Sequence, residues 1–167
     1  AKNFGGAYYV QAQGSSGSTP IFQNCTFFNN RAGGSGGAVH LSGGNGYDRG
    51  IEMDHCVFDM NQAYYDGGSI YWANAFGPEN INFLGCTITR SKSTGFGPLI
   101  YAWRTGTNTV RIQFDSCHIL QNYCDDVQNV TYGAIEIVGN DNERKGVIRV
   151  ENSSFENNDL TSGIFYI

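Results

Sequence analysis

Few residues in this chain have the types and spacing that catalysis needs. Hydrolysis of a glycosidic bond takes two carboxylates converging on one face, one to protonate the leaving oxygen and one to activate water. The adjacent acidic pair is Asp125-Asp126, and its neighbours Cys124 and Gln128 bring no obvious partner to it. A lyase would set a basic Arg or Lys beside a calcium-binding cluster of carboxylates, and no stretch provides one. His40, His55 and His118 fall at different positions of the repeat described below, so they do not converge on zinc. The residues therefore predict a non-enzymatic chain with no metal and no cofactor. Cys124, Asp125, Asp126 and Gln128 stand as a candidate interaction loop, whose carboxylates would meet a cation or a neighbouring subunit.

The cysteines matter for their spacing. Cys25, Cys56, Cys86 and Cys117 step by 31, 30 and 31 residues, and Ser153 takes the next slot after a further 36. Other positions keep the same period: Asn30, Asn61, Asn122 and Asn158 share one slot, with Ser91 breaking it in the third repeat. An internal period this long means that each repeat is one turn of a stacked structure. Stacked turns bring the cysteines to about one strand spacing, ~4.8 Å. Free thiols acting as small apolar fillers fit that distance, because parallel side chains hold the Cβ atoms slightly too far apart for a bridge. Disulfides joining Cys25 to Cys56 and Cys86 to Cys117 are the alternative in an oxidising compartment. The asparagine slot reads as a ladder of amides bonded along the axis.

Each repeat holds three short strand-like runs. The first follows a glycine pair: Ala7–Val10, Ala38–Leu41, Ser69–Trp72, Pro98–Tyr101 and Ala134–Ile137. Alternation puts Val39, Leu41, Ile70, Trp72, Leu99, Tyr101, Ile135 and Ile137 inside, leaving Tyr9, His40, Tyr71, Ile100 and Glu136 outside. The second run carries Phe22, Met53, Phe83, Phe114 and Val150 inward, and the third Phe27, Phe58, Ile88, Ile119 and Phe155. No segment keeps a helical period, and a sandwich would not hold one column at constant spacing. The expected fold is all-β: a right-handed, single-stranded parallel β-helix of about five coils, each of about 30–31 residues with three short strands. Residues 1–167 form a single β-helix segment, expected to belong to a longer chain or assembly.

The outward column places Tyr9, His40 and Tyr71 in an aromatic strip expected to be exposed, a surface suited to stacking on sugar rings or partner side chains. From the cysteine slot to the next glycine slot the first three repeats take 12, 12 and 11 residues and the fourth 16. The surplus predicts a bulge between His118 and Tyr132, around Cys124–Asn129. Three acceptor patterns for N-glycosylation occur, at Asn24, Asn129 and Asn152. The net charge of −5 comes without a basic block, which argues against nucleic acid as a partner. No apolar run approaches the ~20 residues of a membrane-spanning helix.

Gly36-Gly-Ala-Val39, Gly5-Gly-Ala-Tyr8 and the Phe-x-x-Asn stretches at 27–30, 58–61 and 155–158 resemble the repeats of chlamydial polymorphic outer-membrane proteins. Similar repeats occur in pectin-lyase-like β-helix proteins. The resemblance spans the chain but is weaker where Ser91 and Gly97-Pro98 depart from the pattern. It implies a secreted or surface β-solenoid, often an adhesin. The matching residues are core and corner positions, so they speak for fold more than for function. The expected role is a structural or adhesive segment of an extracellular, cell-surface protein. Its partners would be other segments or subunits of the same assembly, or glycans. The alternatives are a polysaccharide-active enzyme of the pectin-lyase-like type and a non-catalytic glycan-binding β-helix.

Overall fold

Four parallel sheets make up the computed structural model, which describes residues 1–12, 19–43, 50–75, 79–104, 109–124, 133–139, 146–158 and 165–166. The first sheet stacks Tyr8–Ala12, Val39–Gly43, Ile70–Ala75, Ile100–Arg104, Ile135–Gly139 and Phe165–Tyr166. The second stacks Ile21–Gln23, Ile51–Asp54, Glu79–Leu84, Val110–Asp115 and Gly146–Glu151. The third is Thr26–Phe28, Val57–Asp59, Thr87–Thr89, His118–Leu120 and Ser154–Glu156. In every sheet a strand pairs with its counterpart one repeat away, which is the topology of a parallel β-helix. Among the described residues there is no helix. Three turns, beginning at Val39, Ile70 and Ile100, have neighbours on both sides in the first three sheets, and the outer turns complete the stack.

The expected core columns form. Phe27, Phe58, Ile88, Ile119 and Phe155 are in register, as are Phe22, Met53, Phe83, Phe114 and Val150. Phe27 stacks on Phe58 at 4.5 Å between ring centroids and Phe83 on Phe114 at 4.9 Å, with Phe58 edge-on to Phe83 at 6.4 Å. The middle of each column is fully buried, whereas Val150, in the last stacked turn, is 39% exposed.

Two expectations need correction. A fourth sheet exists, with two-residue strands Arg31–Ala32, Gln62–Ala63, Lys92–Ser93 and Tyr123–Cys124, so most turns have four strands rather than three. Its inward residues, Ala32, Ala63, Ser93 and Cys124, are small because the chain turns sharply there. The other correction is a register error in the third turn. Ile100, not Leu99, pairs with Ile70, and Tyr101 pairs with Tyr71. Ile100 therefore points inward and Tyr101 joins the outer column. Pro98 occupies the second-glycine slot, because Leu99 N donates to Ala134 O just as Ala38 N donates to Ser69 O. The interval from Cys86 to that slot is then 12 residues, the same as in the first two repeats.

The glycine pair has two distinct reasons. Gly36 turns the corner at φ 74°, a left-handed conformation that side chains disfavour. Gly37 lies so close to the next turn that a Cβ there would come within 2.0 Å of Gly68 O and 2.6 Å of Gln62 backbone atoms. This corner folds the preceding residue back over the outer face of the first sheet. Phe4, Ser35, Asp66 and Phe96 occupy that position, each five residues before an outer-column residue.

Candidate functional site

The outer column of the first sheet runs Tyr9, His40, Tyr71, Tyr101, Glu136 in register. His40 stacks on Tyr71 at 4.7 Å and Tyr71 on Tyr101 at 5.4 Å, their planes 19° and 14° apart. The expected exposed strip is largely covered: Tyr9 is 46% exposed, but His40 only 5% and Glu136 3%. The folded-back column supplies the cover. Phe4 lies 4.7 Å from the His40 ring and 6.2 Å from Tyr9, and Phe96 lies 5.6 Å from Tyr101. His40 Nδ1 is 3.2 Å from Ser35 O. The strip is a continuous ring stack open at its Phe4–Tyr9 end.

Covering the column changes its acids and bases. Burial holds the His40 imidazole below its ordinary value, with the Ser35 contact pulling the other way. Burial, then the charge of Asp66, pushes the Glu136 carboxyl up to about 7. Asp66 is itself raised by burial, although Phe96 N donates to its Oδ1 at 2.9 Å. Tyr71 and Tyr101 are also raised, again by burial first and Asp66 second. Glu136 Oε2 finds no hydrogen-bond partner among the described residues. Glu136 is the one carboxylate among the outward residues of the first runs, and the corner position brings Asp66 to the same column. A raised carboxyl is suited to protonating a leaving group, but this one is buried.

The other regular columns are also bonded internally. Asn61 Oδ1 accepts from Asn30 N and Nδ2 at 3.1 and 2.9 Å, and Asn61 Nδ2 donates to Phe27 O at 2.9 Å. Asn158 Oδ1 does the same for Asn122 N and Nδ2. Ser91 interrupts the ladder, and its hydroxyl instead sits 2.6 Å from that of Ser69. The five cysteines are free thiols. Cys56, Cys86 and Cys117 each contact a backbone carbonyl of the preceding turn through sulfur, those of Phe22, Met53 and Phe83. These thiols are therefore bonded rungs as well as fillers. Ser153 repeats part of the pattern, accepting from Cys117 N at 2.9 Å and donating to Glu151 O at 2.6 Å.

Cys124 does not belong to the expected bulge. It ends the fourth-sheet strand Tyr123–Cys124, pairs with Ser93 and places its sulfur 3.0 Å from Gly95 O. Asp125, Asp126, Gln128 and Asn129 lie outside the described residues. Asn24 and Asn152 are both exposed at the left-handed corner before the cysteine slot, with φ 52° and 49°. Among the described residues no group of three or more His, Cys, Asp or Glu could hold a metal ion. Among the described residues no helix is long and apolar enough to cross a membrane.

The sheets and their bonded columns define a repeat-built parallel β-solenoid. No family model, curated protein or solved structure matches the chain, so that class rests on its own geometry.

Proposed function

We propose that this chain is a structural and adhesive segment of an extracellular, cell-surface β-solenoid. The observation that supports it most directly is the use made of the repeated reactive residues. The thiols, amides and His40 contact neighbouring turns, while the surface grooves are lined by cations, amides and apolar or aromatic side chains. Such a body acts through its surface and through what it stacks beside. The likeness to chlamydial polymorphic outer-membrane protein repeats and pectin-lyase-like β-helices points the same way. Partners of the kind expected are other segments of the same assembly and glycans.

A non-catalytic glycan-binding role is the second reading, favoured by the grooves on the second and fourth sheets. The second-sheet groove, of about 420 Å³, is lined by Asn80, Asn82, Gln113, Arg111 and Arg149 among others. Protease treatment of intact source cells tests the surface placement. Loss of the protein without lysis is expected; full survival until the cells are broken overturns it.

A further inference from the structure

Alternation in the second sheet turns every other residue outward, and the pairing of strands stacks those residues in columns. Asn80, Arg111 and Val147 make one column, and Asn82, Gln113 and Arg149 the next. Turns are ~4.8 Å apart and alternate residues ~6.6 Å, so the six positions cover a block of ~9.6 by ~6.6 Å. They line the groove of about 420 Å³ on this face. That volume lies within the range of small-molecule sites, about 300–1,000 Å³.

The polar groups of this block are not used within the protein. Asn82 and Gln113 are half-buried neighbours in register, yet their side-chain amides bond neither each other nor any other described residue. The inner pair Asn30 and Asn61, one turn apart in the same way, does bond. The Asn80 amide is likewise without a partner among the described residues. Arg111 is exposed and makes no ion pair among them, whereas Arg149 is neutralised by Glu151 at 2.5 Å. One open guanidinium therefore stands among three unpartnered amides, with Val147, 46% exposed, as an apolar patch beside it.

We propose that this block binds one terminal sugar that carries a carboxylate and an N-acyl group, the chemistry of a sialic acid. Arg111 holds the carboxylate through paired N–H donors. Asn80, Asn82 and Gln113 each offer donors and an acceptor to hydroxyls and to the acyl amide, and Val147 meets the acyl methyl. Acids bound the block on two sides and exclude a polymer charged on every sugar. Glu52 pairs with Asn82 in the preceding turn, and Asp115 and Glu151 form the next outward column along the strands. The fourth-sheet groove, lined by Arg31, Arg90 and Lys92 among others, is the poorer site. There Asp59 neutralises Arg90, and the Lys92 ammonium lies 5.4 Å from the centre of the Tyr123 ring. The proposal rests on the reading of the chain as a glycan-binding β-helix.

The test is an NMR titration of the whole 167-residue chain with sialyllactose, lactose, glucuronate and polygalacturonate. Sialyllactose is expected to shift the side-chain amide signals of Asn80, Asn82 and Gln113 to saturation, and the other three to bind about tenfold more weakly or less. Arg111→Gln should weaken sialyllactose by about tenfold or more, because a charge-assisted contact is lost. Arg111→Lys should keep part of the affinity, since the charge stays and the fork goes. Arg31→Gln, in the fourth-sheet groove, should leave it unchanged, and all three variants should melt like the parent. Equal affinity for lactose, glucuronate or polygalacturonate overturns the proposal and leaves the glycan-binding reading standing. So does an Arg111→Gln variant that binds sialyllactose like the parent. No response to any of the four saccharides overturns the proposal and takes from the glycan-binding reading the support of this groove.

Discussion

Glu136 is buried and its Oε2 has no hydrogen-bond partner among the described residues. Its stability effect has a definite sign. The unfolded chain ionises Glu136 near 4.5, while the folded chain holds the proton until about 7. Stability therefore falls as pH rises through that window and levels off above it, since the folded state binds the extra proton. His40 works the other way: its lowered value means that stability is lost as pH falls below the unfolded 6.5. Comparing Glu136→Gln with the parent isolates the carboxylate. The melting-temperature advantage of the variant should grow from pH 4.5 to above 7; a constant difference would mean that Glu136 ionises normally. Glu136 was visible in the sequence as an outer-column acid. Its burial was not, because alternation says which face a residue takes but not what folds back over that face; in the earlier turns the residues five positions upstream are as different as Phe4, Ser35, Asp66 and Phe96.

At the scale of the element, the second-glycine corner is the tightest point of each turn. Gly37→Ala should destabilise by about 1–3 kcal/mol, the usual range for overpacking, because the backbone at Gly68 and Gln62 cannot swing aside as a side chain would. Urea unfolding measures it; a neutral result would mean that neighbouring turns can separate there. The parallel β-helix was legible from the cysteine, asparagine and aromatic columns, which stay recognisable through substitutions such as Ser153 in the cysteine slot. The fourth sheet was not, since a two-residue strand with one inward side chain has no period to detect. Its trace was a small residue two places after each of the first four slots of the Asn column: Ala32, Ala63, Ser93 and Cys124. The third-turn register was lost for a related reason. Gly97-Pro98 hides the pair, and Leu99 and Ile100 are both buried, so hydrophobicity alone does not say which one faces the core.

Over the whole molecule, every strand pairs only with the turns directly beside it, so energetic coupling should decay along the axis. The aromatic core allows a direct test, because it offers both a close pair and a distant one. Phe27 and Phe58 stack at 4.5 Å in adjacent turns. Phe27 and Phe114 lie three turns apart, about 14 Å along the axis, joined through Phe58 and Phe83. Substitution to Leu keeps each site apolar and should cost about 1–2 kcal/mol. In double-mutant cycles, Phe27→Leu with Phe58→Leu should show a coupling of about 0.5 kcal/mol or more, while Phe27→Leu with Phe114→Leu should add to within about 0.5 kcal/mol. Equal coupling in the two cycles would mean that the aromatic column transmits strain as one rigid body rather than turn by turn. In a nearest-neighbour stack, groove residues such as Arg31 and Lys92 can vary with little effect on distant turns. A surface can then be altered turn by turn while the columns beneath it hold the coil.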